Sequence, residues 1–195
     1  MNETDNYRYL QIKIPPEVLS NVEMSFNEKI ILGLDYTFSL IKGYNVLSNI
    51  QIGKMFNLHP NIVGYCRKNL LKNGYLLKDK RSYFLTEKVQ KDSVSSNDKR
   101  TIYWFYEIYN NCELHTGAKL LWGEYNSISC GEKEYFASRD YTAQRLNASK
   151  ESITNWTKQL DQNNFLQQYN HKAGYCTKQK VIITCKFNLY DDIDL

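Results

Sequence analysis

Between Ser25 and Gly43 the apolar positions Ile30, Ile31, Leu34, Phe38 and Ile41 recur at helical spacing. Ser25 and Glu28 stand three apart, the pattern of a capping box, and Gly43 supplies a left-handed stop, so a helix is predicted between them. Ahead of it, residues 7–14 place Tyr7, Tyr9 and Gln11 on one side and Leu10, Ile12 and Ile14 on the other. That alternation predicts a strand, halted by Pro15-Pro16. A short helical turn is expected from Pro16 to Ser20. Ser48 and Gln51 form a second capping box for a two-turn helix ending near Phe56. Asn57-Leu58-His59 is the turn, with His59 in a capping position. Pro60 opens the next helix, where its missing N–H is not needed. That helix runs to Asn73 and is closed by Gly74. Strands over 75–78 and 82–86 flank the charged turn Asp79-Lys80-Arg81. Helix, helix, helix, hairpin is the element order of a winged helix.

Residues 87–100 (EKVQKDSVSSNDKR) have almost no apolar content and read as a linker. Residues 101–109 (TIYWFYEIY) are dense in aromatics and are expected to open a second unit as a strand, with a helix as the alternative. Helices follow at about 116–128, 138–146 and 150–163, then a longer hairpin over 165–169 and 180–187. This second succession repeats the first at an offset of 90 positions: Ser48 on Ser138, Phe56 on Leu146, Asn57 on Asn147, Val63 on Ile153, Leu70 on Leu160 and Leu76 on Leu166. The register also runs backwards, with residues 28–33 (EKIILG) on 118–123 (AKLLWG). A repeat that holds without a gap means one supersecondary unit used twice.

Both halves resemble the winged helix-turn-helix domains of plasmid and phage replication initiators and related regulators. The marks in the first half are Ile12-Lys13-Ile14-Pro15 followed by residues 27–33 (NEKIILG). In the second they are residues 118–123, Tyr135-Phe136-Ala137-Ser138, and residues 148–156 (ASKESITNW). The resemblance is closer over 114–170 than over 9–78, where Pro60 and Gly64 are unusual for a recognition helix. It implies a mainly α chain with short β wings (α+β), arranged as two tandem winged helix-turn-helix domains. It also implies duplex-DNA binding in replication initiation or transcriptional regulation, because this domain type serves repressors, activators and initiators alike.

Net charge changes the picture by its distribution. The total is +4, but residues 1–100 hold 15 Lys+Arg against 10 Asp+Glu, whereas residues 101–195 hold 10 against 11. The basic character belongs to the first half. Five Cys without a CxxC pair or a nearby His at metal spacing read as reduced thiols of a cytoplasmic protein with no metal. No apolar run approaches a membrane span, and no signal peptide is evident. Phosphate-binding, nucleophile-elbow and zinc-protease motifs are absent, so no catalytic residue, enzyme activity or cofactor is expected.

The outward face of each third helix is where DNA contact is expected, because winged helices lay that helix in the major groove. In the first unit Val63, Cys66, Leu70 and the stem of Arg67 point inward, leaving Asn61, Ile62, Gly64, Tyr65 and Lys68 outside, with Lys72 at the end. Asn pairs bidentately with adenine, while Tyr and Lys suit phosphate. From His59 to Asn73 there are three cations (Arg67, Lys68, Lys72) and no acid. In the second unit Lys150, Ser152, Thr154, Asn155 and Lys158 face out, and Glu151 and Asp161 cancel the two cations. The hairpins add Lys78, Lys80 and Arg81 in the first unit, and His171, Lys172, Lys178 and Lys180 in the second. The aromatics at 103–106 fit buried strand packing, a dimer surface or a stacking platform for single strands.

The expected organisation is therefore a first winged-helix domain over 1–87, a polar linker over 88–100, a second domain over 101–190 and an acidic tail over 191–195. The leading expectation is a sequence-specific double-stranded-DNA binder of a mobile element, with the two units reading consecutive groove faces. A linker of about fourteen residues reaches between adjacent major grooves, ~34 Å apart, at ~3.3 Å per residue. The alternative is a winged-helix module whose neutral second unit holds a host protein. A homodimer also stays open, and no membrane partner is expected.

Overall fold

The computed structural model describes residues 7, 9–92, 100–173 and 178–187, with side chains described for all of these except 90–92, 170–173 and 178–180. Helices alternate with short antiparallel strand pairs. The first half runs β1 (Ile12–Ile14), α1 (Pro16–Ser20), α2 (Phe26–Lys42), α3 (Asn49–Phe56), α4 (Pro60–Lys72), β2 (Leu76–Asp79) and β3 (Ser82–Leu85). After α5 (Glu87–Asp92) the second half repeats the order: β4 (Ile102–Trp104), α6 (Tyr106–Tyr109), α7 (Thr116–Ser129), α8 (Arg139–Leu146), α9 (Lys150–Gln162), β5 (Leu166–Ala173) and β6 (Lys178–Thr184).

Local chemistry sets the boundaries. Both capping boxes form: the Glu28 carboxylate accepts from the Ser25 N–H at 2.7 Å, and the Gln51 side chain accepts from the Ser48 N–H at 2.9 Å. Asn57 and Asn147, at equivalent positions, end α3 and α8 in left-handed conformations (φ 54° and 52°), which Asn tolerates better than most residues. Gly33 and Gly123, also equivalent, let a strand lie directly on a helix. A Cβ on Gly33 would sit 2.6 Å from Ile14 Cγ1, and one on Gly123 would sit 2.8 Å from Trp104 Nε1.

Three elements differ from expectation. The strand over 7–14 shrinks to Ile12–Ile14, the three residues that pair with β4. The Tyr7 carbonyl instead accepts from the Leu10 N–H and from the Tyr109 hydroxyl. The aromatic stretch 101–109 divides into β4 and the short helix α6, the counterpart of α1. The stretch expected to be a linker begins with α5, which packs on α1 through Val89, 3% exposed. One apolar residue in a polar run was too weak a periodic signal to show this.

The largest departure from two tethered units lies in how the halves meet. β1 pairs with β4 in antiparallel register, Ile12 opposite Trp104, Lys13 opposite Tyr103 and Ile14 opposite Ile102. Lys13 and Tyr103 are themselves 90 apart, so equivalent residues face each other and the flanking pairs exchange under the repeat. That is the mark of a local two-fold axis. A second set of contacts obeys the same exchange. Buried Lys29 donates to the Leu146 carbonyl at the end of α8 (3.0 Å), and its equivalent Lys119 donates to the Phe56 carbonyl at the end of α3 (3.2 Å). Helices α2 and α7, also equivalent, pack on each other. One continuous core results, joining Ile12, Ile14, Phe56, Trp104, Tyr109 and Trp122.

The buried ion pairs do not repeat. Asp35 and Arg67 form a buried ion pair (3.4 Å), and their equivalents Tyr125 and Thr157 meet as a neutral hydroxyl pair (2.7 Å). Conversely, buried Glu124 pairs with Arg145, where the first half has Leu34 and Met55. Asp35–Arg67 and Glu124–Arg145 thus occupy different positions of the same scaffold.

Candidate nucleic-acid interface

Helix α4 divides cleanly. Val63, Cys66, Arg67 and Leu70 are buried, while Asn61, Ile62, Tyr65, Lys68 and Lys72 are exposed and Gly64 is half-buried. At its start, His59 Nδ1 accepts from the Asn61 N–H at 3.2 Å, so His59 is a cap. Tyr65 is 67% exposed, a large amphipathic ring turned to solvent.

Arg67 departs from the charge count made along this helix. It is 2% exposed, and its guanidinium donates to the Leu47 carbonyl at 2.7 Å besides pairing with Asp35. Burial pushes the Asp35 carboxyl pKa up, while the Arg67 charge and the Asn45 hydrogen bond pull it down. The outward cations of α4 are thus Lys68 and Lys72. Arg67 serves the surface indirectly. Its guanidinium lies 3.9 Å from the centroid of the Tyr83 ring, and Lys78 Nζ lies 5.5 Å from the same ring. Tyr83 belongs to β3, so an aromatic ring close to both cations ties the hairpin to α4. The hairpin tip then carries Lys80 (φ 50°) and Arg81, both exposed alongside Lys78.

The face of α9 is more engaged. Lys150 pairs with Asp140 of α8 at 2.6 Å. Ser152 and Thr154 are half-buried; the Ser152 hydroxyl shares a hydrogen bond with Ser149, and the Thr154 hydroxyl donates to the Lys150 carbonyl at 3.0 Å. Asn155 and Lys158 remain exposed, and their side chains make no hydrogen bond or ion pair among the described residues. Lys68 and Lys158 stand at equivalent positions, an outward cation that α4 and α9 share. A cleft of about 630 Å³ runs between α9 and the second hairpin, lined by Tyr125, Tyr135, Arg139, Lys150, Thr154 and Ile182 among others. Lys172 and Lys178 lie on β5 and β6. Their side chains, like those of His171 and Lys180 and all of residues 191–195, lie outside the described residues.

The aromatic run is mostly internal. Trp104 is 0% exposed and meets Phe56 edge-on at 6.4 Å, while Phe105 and Tyr106 are half-buried and Tyr103 is 39% exposed. Trp156 is also buried and packs at 5.1 Å on Phe26 of the other half. Among the described residues no helix is long and apolar enough to cross a membrane, and no group of three or more His, Cys, Asp or Glu side chains is placed to hold a metal.

The residues that residue-by-residue reading missed are Lys29 and Lys119. They sat inside the repeated EKIILG and AKLLWG segments, where a lysine among apolar residues looks like the solvent side of a helix. Burial lowers both ammonium pKa values to about 8. Their repetition at the offset of 90 was the available signal. No family model matches this chain, and no curated protein matches it.

Proposed function

We propose that the chain is a sequence-specific double-stranded-DNA-binding protein built of two winged helix-turn-helix units, serving a mobile element in replication initiation or transcriptional regulation. Helices α4 and α9 are the reading helices, and the reading needs no catalytic group. The observation that carries it is the surface of the first unit, where Asn61, Tyr65, Lys68 and Lys72 on α4 and Lys78, Lys80 and Arg81 on the hairpin are all exposed. Those residue types supply an amide for a base edge and cations for flanking phosphates.

Binding to duplex DNA should weaken steeply with salt, with a log–log slope of ~−0.9 per phosphate neutralised. Lys68→Ala should weaken all sequences about equally and lower the slope by about one, whereas Asn61→Ala should relax base preference by ~1–3 kcal/mol. Salt-insensitive binding, or wild-type behaviour of both variants, would overturn the assignment of α4.

A second reading draws on the second unit, where Lys150 is held by Asp140 and Phe136 is 81% exposed. That face then holds a host protein while the first unit holds DNA. Unchanged DNA affinity in Lys158→Ala, together with loss of a stoichiometric protein partner in Phe136→Ala, would favour it.

A further inference from the structure

We propose that α4 and α9 read the two arms of one inverted repeat of unequal halves, on a single duplex. The proposal rests on the DNA-binding reading above and adds the arrangement of the site. Two unit copies in one chain can be related by a shift or by a rotation. A shift sets both reading helices in the same sense and matches a direct repeat. A two-fold rotation reverses one of them and matches an inverted repeat, because a palindromic site mirrors the two-fold of its reader.

Three contacts point to rotation. The β1–β4 register is symmetric about the Lys13–Tyr103 pair. The Lys29 and Lys119 contacts are reciprocal, each ending on the last residue of the other unit's middle helix. Helices α2 and α7 pack on each other as equivalents. None of these is expected of units joined only through a linker.

The same contacts place both reading helices beside the axis. Phe56 is held across the interface and α4 begins four residues later; Leu146 is held likewise and α9 begins four residues later. The two helix starts therefore flank the joint, the arrangement that serves neighbouring turns of one groove. The outward positions decide the rest. Asn61, Ile62 and Tyr65 answer to Glu151, Ser152 and Asn155, so the base-facing chemistry differs between arms. Lys68 answers to Lys158, so a backbone contact recurs symmetrically. The site is an inverted repeat in geometry and unequal in sequence.

The test is selection from a random duplex library with the full chain, followed by hydroxyl-radical footprinting of the winner. Wild type should enrich two different half-sites, with protected backbone positions related by a dyad. The variant Glu151→Asn, Ser152→Ile, Asn155→Tyr gives α9 the first unit's outward residues. Provided it melts like wild type, it should turn the second arm into the reverse complement of the first. Its preference for that palindrome should rise about tenfold or more, a single base contact's worth. Enrichment of a direct repeat, or of one isolated half-site, would overturn the proposal while leaving DNA binding intact. Should no duplex be enriched and no shift seen at low salt, the DNA reading itself fails, and this proposal with it. The wild-type footprint decides the geometry even where the variant does not fold.

Discussion

Replacing Lys29 and Lys119 together by Met should abolish a rise in stability between pH 7 and pH 9. Both ammonium groups are buried, and burial draws each pKa from 10.5 down to about 8. In the unfolded chain these lysines keep their ordinary value, so between about pH 8 and 10.5 the unfolded state binds more protons and stability climbs with pH. A group shifted this far contributes ~1 kcal/mol on going from pH 7 to 9, and the pair contributes ~2–3 kcal/mol. Other groups pull the opposite way. Burial raises the Cys66 thiol to about 11 and raises Tyr109, Tyr125 and Tyr135, so the folded state holds those protons longer and loses stability above about pH 9. The comparison is therefore the difference between wild type and double variant, from urea unfolding at pH 7, 8 and 9. That difference should shift toward wild type as pH rises. Parallel curves would show that the lysines do not titrate as buried groups, and would refute the reasoning. The absolute stability at pH 7 is less telling, since Met removes a buried charge and also leaves the Leu146, Phe56 and Tyr109 carbonyls without that donor.

Gly33→Ala should cost ~1–3 kcal/mol, because the new methyl meets the body of Ile14 and the Lys13 carbonyl. Gly64→Ala should instead add ~0.5–1 kcal/mol, since only the Asn49 side-chain amide is near, at 3.0 Å. Denaturant midpoints compare the two, and equal costs would sink the packing argument. Asp35→Asn strands the Arg67 guanidinium in the interior and should cost ~3–5 kcal/mol. Tyr125→Phe, at the equivalent position, removes only a neutral hydrogen bond and should cost ~1 kcal/mol. Matching losses in thermal unfolding would show that the buried Arg67 charge does not depend on Asp35 for its neutralisation.

Local signals carried most of the element plan. Ser25 with Glu28, Ser48 with Gln51, Gly43 and Pro60 are short-range chemistry, and each acts where the sequence places it. The two divided faces of α4 were legible for the same reason, since Val63, Cys66 and Leu70 obey helical spacing. What escaped depends on distant partners. Nothing within a few residues of Lys29 tells that Leu146 lies 3.0 Å away, and Arg67 looks like a surface cation until Asp35 and Tyr83 are beside it. Ser152 and Thr154 read as outward by angle alone, yet their hydroxyls turn to their own helix. Val89 shows the limit from the other side, because one buried residue leaves no period to detect.

The Lys13–Tyr103 pair has a consequence for the newborn chain. At a synthesis rate of about 5–20 residues per second, β1 waits roughly 5–20 s before its partner strand is made. During that interval it is an open edge, and the nearest similar edge belongs to another copy of itself. Two copies of β1 joined in the native register would set Lys13 against Lys13, and like charges directly opposite are destabilising across strands. The phenol of Tyr103 carries no such repulsion. A single lysine thus discourages partnership between unfinished chains, while the tyrosine keeps the correct intramolecular closure open.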